Sequence, residues 1–519
     1  MRSVRVELEC WVRTFRVVVA EYVRTNLLCA YNQNMSGQIY RNVATKASAT
    51  ASAPLSGDVS VLAILAGRLA APVDALTRAR AATHVLDWLG SAALGYRQPG
   101  AVGFATLAVA SSVGTCRTIG GDRADWWHAL QINAALGNMM EMDDLHRSSI
   151  LHPGPVIVPA AIAVAEKVGA TGAQLLDAIV RGYEATIRIG RALGTSHYKY
   201  FHNTSTCGAF GAAVAAASLL KLSPEQTVWA LANAGSRSGG LWQMRHEACE
   251  TKSLHNAMAA QSGVQCALLA AQGVRGPSTL LEGPQGMFAA MTDGANARAV
   301  VDDLDARWQI HDVSFKPWPA CRHAHPAIDA AMAIAAQCIE AKPRCDVGSI
   351  ASIKVATYRS AIDFCNKPDP ITEAEAKFSL QHCVAVALLR GMAGGKPMLA
   401  DFVPGSLHRE DIAALRKRVR VVEDRAMSAQ FPRHYGAAVS VTFSLGNTVS
   451  HQQADAWGDP ELPLSIEALN TKFVELLCAA DVDTVTAGEL VTATFALPSA
   501  ASVSNWSALW PSLAQSGSR

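Results

Sequence analysis

The chain has 519 residues, 50% hydrophobic, 17% charged and 6% aromatic, with 45 Lys+Arg against 43 Asp+Glu. Near-neutrality excludes the global basic field that a nucleic-acid or anionic-membrane partner would meet, and abundant apolar residues exclude disorder for most of the chain. Glu166, Lys167, Asp177 and Arg181 interrupt the longest apolar runs, so none approaches the roughly 20 residues that span a bilayer. The small charged fraction leads us to expect a face covered by a second subunit.

In chain order, residues 1–55 read as a disordered extension. Arg2, Arg5, Arg13, Arg16 and Arg24 lie among short apolar clusters, but Glu7, Glu9 and Glu21 spoil both a signal peptide and an acid-free transit peptide. Residues 44–57 have tether composition, and Met35 offers an alternative start. Helical periodicity then runs from Val73 to Gly273. Val73–Gly95 closes on a glycine placed as a helix stop, and Trp126–Asp144, Val156–Gly169 and Gly172–Leu193 follow. Cys207–Leu222 is apolar all round, the pattern of a helix buried on every side. Ser223-Pro224-Glu225 opens another with an N-cap, a first-position proline and an early acid. Lys252–Gly273 continues the pattern, and no strand is expected before residue 345.

The texture then changes. Ser349–Tyr358 alternates and is rich in β-branched residues, Arg418–Val422 is a second strand, and Ala437–Gln452 reads as a hairpin turning on Gly446-Asn447. A helix over Ile371–Leu389 lies between the first two strands, and helices resume from Leu462. The expected fold is therefore mainly α. A large all-helical domain, 56–314 plus 456–519, would carry an inserted smaller α+β lid domain, 315–455. Twelve cysteines without a C-x-x-C or a secretory signal read as reduced and mostly buried, which points to the cytoplasm and away from zinc or disulfides.

Familiar catalytic signatures are missing. No G-x-G-x-x-G follows a strand, Gly391–Lys396 lacks the spacing and hydroxyl of a phosphate loop, His246-Glu247 has no second histidine, and no G-x-S-x-G occurs. Four polar clusters stand out instead. In EMDDLHRSSILHPG (141–154), Asp143 and Arg147 are four apart, as a surface ion pair would be. His152 precedes a helix start whose free N–H groups suit an anion. In YKYFHNTSTCG (198–208), Thr204 is a candidate N-cap and His202 a candidate proton-transfer group. In TKSLHNAMAAQSG (251–263), Lys252 and His255 share a helix face, and a buried ammonium there needs an anion unless it snorkels to solvent. The fourth, SFKPWPACRHAHPAIDAA (314–331), crowds Lys316, Arg322, His323 and His325 at the expected hinge. Together these clusters suggest a locally cationic site for a small polycarboxylate, with groups able to move a proton next to a carboxylate.

The clusters, with EGPQGMFAA (282–290) and EAKFSLQHCVA (375–385), resemble the MmgE/PrpD family over about Val61 to Leu490. The resemblance implies a helical domain with an α+β lid, a homodimer, no metal or organic cofactor, and dehydratase, decarboxylase or epimerase activity on carboxylic acids. Carried over by position, it places Asp143, His152, His202, Lys252 and Lys316 in the pocket, with His325 as the fourth-cluster histidine and His323 as the alternative. Two departures touch the substrate. His146 and Arg147 replace part of the D-N-D-T-W-like string of the 2-methylcitrate dehydratases, and Phe364-Cys365 precede Asn366-Lys367-Pro368 where the decarboxylases carry a tyrosine. The expected enzyme is a lyase with Asp143, His152, His202, Lys252 and His325 as catalytic residues. Lys316, Arg322, His255, Thr204, His323 and Arg147 would bind the substrate. An isomerase using the same carbanion and a non-catalytic carboxylate binder are the competing readings.

Overall fold

The computed structural model describes residues 59–110, 114–247, 249–341 and 345–513, so the expected extension over 1–55 and the start at Met35 lie outside the described residues. The helices are α1 Val61–Leu69, α2 Ala75–Tyr96, α3 Ala101–Ala110, α4 Trp126–Leu136, α5 Gly154–Val168, α6 Gly172–Tyr198, α7 Asn203–Leu219, α8 Pro224–Ser236 and α9 Thr251–Ala271. After α10 (His325–Glu340) come β3 Ile350–Thr357, α11 Arg359–Cys365, α12 Glu373–Lys377, α13 Leu380–Met392, β4 Val419–Glu423, β5 Ala437–Phe443 and β6 Thr448–Gln453. α14 (Ile466–Ala479) and α15 (Thr484–Phe495) return to the helical block. The fold is mainly α.

Two large hydrophobic cores form. The first draws on residues 61–313 and again on 473–513, so the last helices close over α2. The second draws on 318–443, where α10 and α13 pack together and α10 lies against β5 and β6. The four-stranded sheet has the order β4-β3-β5-β6, with β3 parallel to β4 and antiparallel to β5. At the centre of the first core, α7 is buried on all sides except Ser218, as its composition predicts. Glycine makes the close crossings possible: a Cβ at Gly263 of α9 would lie 2.3 Å from the Ala209 carbonyl of α7.

Several expectations need correction. Gly95 does not stop α2 but sits inside its last turn, where a Cβ would lie 2.3 Å from the Leu136 carbonyl. The helix expected to reach Asp144 ends at Leu136, because the polar residues beyond it are held by long-range partners and Glu141 adopts a left-handed φ of 57°. Two short strands, β1 Cys116–Arg117 and β2 Arg123–Ala124, pair before residue 345. The helix expected over 371–389 breaks at Ser379, whose hydroxyl caps α13 by accepting from the His382 amide at 3.0 Å. The hairpin turn is longer than two residues: Gly446, at φ 91°, donates to the Phe443 carbonyl at 2.8 Å. Such a loop matches the right-handed twist of its strands with a glycine after a tight turn.

Candidate active site

The segment between α4 and α5 carries the charged residues, and it is fixed from three sides. Leu145 exchanges backbone hydrogen bonds with Ser314, and the Lys472 ammonium of α14 donates to the Met142 carbonyl at 2.6 Å. Asp144 accepts from the Tyr183 hydroxyl and His84 Nδ1, both at 2.7 Å, and from the Gly154 amide at 2.9 Å. The helix start expected to receive a ligand anion is thus occupied by the chain's own carboxylate. Burial pushes the Asp144 carboxyl up to about 6 despite the Tyr183 bond.

Asp143 has the opposite fate. It does not pair with Arg147; its Oδ2 lies 2.8 Å from His152 Nδ1 and accepts from Asn138 at 2.6 Å. Burial opposes ionisation, yet His152 and the Lys316 ammonium hold the Asp143 carboxyl well below the ordinary range. His152 Nδ1 also lies 2.9 Å from the Asp144 carbonyl, and the His152 amide donates to the Thr204 hydroxyl at 3.0 Å. Facing two acceptors, Nδ1 carries the hydrogen, which leaves a lone pair on Nε2.

Glu141, absent from the sequence-derived set although it begins the first cluster, bridges two lysines. Oε1 pairs with Lys252 on the first turn of α9, and Oε2 lies 3.1 Å from Lys316 Nζ. Against burial, the Lys252 and Lys316 ammoniums bring the Glu141 carboxyl down to about 2. Lys316 is fully buried, and the Glu141 and Asp143 carboxylates outweigh desolvation to raise it. Lys252 therefore meets an anion rather than snorkelling freely.

Glu141, His152 and Lys252 border one cavity of about 780 Å³. Glu141, His152, His202, Thr204, Lys252, Arg322 and His323 line it, whereas Asp143, Lys316, His255, Arg147 and His325 are not among its lining residues. His202 Nδ1 lies 3.2 Å from His255 Nδ1, and burial drives the His202 imidazole well below its ordinary value, so it is neutral. His323 Nδ1 lies 2.5 Å from the Tyr358 hydroxyl, and burial, then His152 and Lys316, pushes His323 down to about 3. Among the described residues the Tyr358 hydroxyl meets no other acceptor, so His323 Nδ1 accepts and Nε2 bears the hydrogen.

His325, preferred from the sequence, is enclosed by Arg322 Nη1 at 3.1 Å and the Ala320 carbonyl at 3.0 Å; His323 is the cavity histidine. Arg147 binds Asp455, Asp459 and Glu461 instead of a ligand. Nor is the lining cationic in sum. Glu141, Glu247, Glu250, Asp363, Glu373 and Glu375 face Arg245, Lys252, Arg322, Lys367 and Lys377. Among the described residues, Arg245 and Lys367 form no ion pair, so both remain available to a carboxylate. Among the described residues, His202 Nε2, the Tyr435 hydroxyl and Asn138 Oδ1 are buried without a protein partner, and all three residues line the cavity. Unmet polar atoms around an open volume are what a polar ligand would satisfy.

The MmgE/PrpD N-terminal domain model matches residues 66–299 and the MmgE/PrpD C-terminal domain model matches 318–486. Cis-aconitate decarboxylase of Homo sapiens is 27% identical over 354 residues, covering 67% of this chain and 71% of that protein. Cis-aconitate decarboxylase of Aspergillus terreus is 25% identical over 455 residues, 83% of this chain and 91% of its own length. The mitochondrial 2-methylcitrate dehydratase of Yarrowia lipolytica is 27% identical over 262 residues, 47% and 49% of the two chains.

Proposed function

The chain belongs to the MmgE/PrpD family, and from that premise we propose that it is a lyase acting on a small di- or tricarboxylate by proton transfer beside a carboxylate. The observation that carries the reading is the fixed tautomer of His152. Asp143 and the Asp144 carbonyl hold Nδ1, leaving Nε2 as the base on a ring that lines the cavity. His323, neutral with its hydrogen on Nε2, is the hydrogen-bond donor to the reacting oxygen. Lys252, Arg245 and Lys367 anchor carboxylates, and Lys316 keeps Glu141 and Asp143 ionised beneath them.

In dehydration, His152 Nε2 takes the proton next to the carboxylate and returns it to the departing β-hydroxyl, which leaves as water while the His323 Nε2–H hydrogen-bonds the reacting oxygen. In decarboxylation, the electron pair released with carbon dioxide takes up a proton delivered through His152. Relatives of this chain are named cis-aconitate decarboxylase and 2-methylcitrate dehydratase, and both named reactions fit this step. The second core, 318–443, serves as the lid. We further propose a homodimer that covers the exposed Leu254, Met258 and Leu269 of α9, and a cytoplasmic enzyme, for which the ten unpaired described cysteines are the support.

A thermal-shift screen of di- and tricarboxylates, followed by mass spectrometry of the hits, tests the reading. A lyase releases water or carbon dioxide. Exchange of the α-hydrogen in deuterium oxide with no loss of mass would instead mark an epimerase, and stabilisation without any product would mark a binder. Lys252→Ala removes a carboxylate anchor and should abolish turnover of the best hit while the variant stays folded.

A further inference from the structure

We infer that the acid turned over at this site carries an extended apolar arm, an alkyl chain or an aryl group, next to the reacting carbon; the inference rests on the lyase reading above. A six-carbon tricarboxylate has about 13 non-hydrogen atoms. Even at the roughly 30 Å³ that a whole water takes up in the liquid, these fill less than about 400 Å³. The cavity holds about 780 Å³.

The lining says what the remaining space suits. Tyr198 and Phe364 stack at 5.3 Å and 12°, and Trp242 stands nearly perpendicular to both at 5.4 and 5.6 Å. This shelf adjoins the reacting groups: the Trp242 ring lies 4.7 Å from His202, and Phe364 lies 5.1 Å from His323. The Arg245 guanidinium covers Phe364 at 4.5 Å, so the ring is held from more than one side. The faces of the three rings offer a carboxylate arm no hydrogen-bond partner, with Arg245 already stacked on Phe364, but they match methylene groups or an aromatic ring. Lys252, the anchor on Glu141, belongs to a different part of the site, and Arg245, over Phe364, is the cation that borders the shelf. The site therefore has a carboxylate end and an apolar end, with the histidines between them.

The test titrates the full chain with citrates bearing hydrogen, methyl, butyl or hexyl at C2, and with the matching cis-aconitates, and reads products by mass spectrometry. The expected result is a Kd that falls about three- to fourfold per methylene through butyl, the effect of burying one CH₂ group, with kcat/KM following. Trp242→Ala should flatten that slope. Phe364→Leu, which keeps an apolar side chain, should flatten it less and serves if the first variant fails to fold. A Kd that is level or rises beyond methyl, while the unsubstituted acid is turned over, overturns the apolar arm and leaves the lyase standing. Tightening along the series without product from any member sustains the shelf and overturns the lyase reading. A slope unchanged in both variants overturns the assignment to these rings.

Discussion

Two buried charge clusters in this molecule are built from the same residue types and end differently. In one, Arg147 binds Asp455, Asp459 and Glu461, Arg322 binds Asp459, and His325 has both ring nitrogens engaged. Asp459 also accepts from the Ser314 hydroxyl at 2.6 Å and the Ala456 amide at 2.9 Å. In the other, Glu141 satisfies Lys252 and Lys316 while Asp143 satisfies His152, yet the lining residues still leave His202 Nε2 and the Tyr435 hydroxyl unpaired. The count of charges does not separate the clusters; among the described residues the first leaves Arg322 Nε without a hydrogen-bond partner, whereas the second leaves His202 Nε2, Asn138 Oδ1 and Asp143 Oδ1. A closed network gives cohesion, whereas an incomplete one facing a void is poised for a ligand.

The contrast breaks most visibly at His152. His152→Ala should lower kcat by about 10²- to 10⁴-fold, the contribution of a positioned acid–base group, with little change in melting temperature. Wild-type rates in that variant would remove the base from the mechanism. Arg147→Ala should do the reverse. Asp455 and Asp459 lose a buried partner, at a cost of about 3–5 kcal/mol in denaturant unfolding, while kcat per folded molecule stays within a few-fold. A selective loss of kcat there would mean that the closed network also serves the chemistry.

Glu141 joins the two behaviours, because it is both a cavity residue and an ion-pair partner. Its folded carboxyl sits at about 2 against an ordinary 4.5, so its stabilisation is complete above about pH 4.5 and is lost as the pH falls through about 2. The gap corresponds to about 3 kcal/mol. The stability difference between wild type and Glu141→Gln should therefore shrink by that order between these pH values. A difference independent of pH would show that the lysines do not hold the carboxylate down.

The helices, the strands and the segments bearing the site were legible because periodicity and caps are local. The Ser223 box on Gln226 is an example, and so is the left-handed Gly169 that ends α5. What sequence could not supply was partnership at a distance. Nothing near His323 announces Tyr358, 35 positions away, and nothing near Lys252 announces Glu141, 111 positions away. The cationic character expected from four clusters failed for the same reason: acids from elsewhere, such as Glu247 and Glu373, line the same cavity. The misplaced end of α4 has a local cause, since alanine- and leucine-rich periodicity concealed a backbone that tertiary bonds pull out of the helix at Glu141.

The smallest expected effect is the most discriminating between the two histidines of the fourth cluster. They are two positions apart, and motif position alone favours His325, yet the fold sends them to different clusters. Burial and the neighbouring Arg322 keep His325 neutral, as burial keeps His323, but both ring nitrogens of His325 are engaged by Arg322 and the Ala320 carbonyl and it does not line the cavity. His325→Gln keeps a hydrogen-bonding side chain toward Arg322 and the Ala320 carbonyl. It should change kcat by less than about threefold per folded molecule, in the range of a residue that only supports packing. His323→Gln should lose far more, because it removes the Nε2 hydrogen of a histidine that lines the cavity. If the two variants exchanged these outcomes, the donor would belong to the other network and the division between cohesion and chemistry would fall at a different boundary.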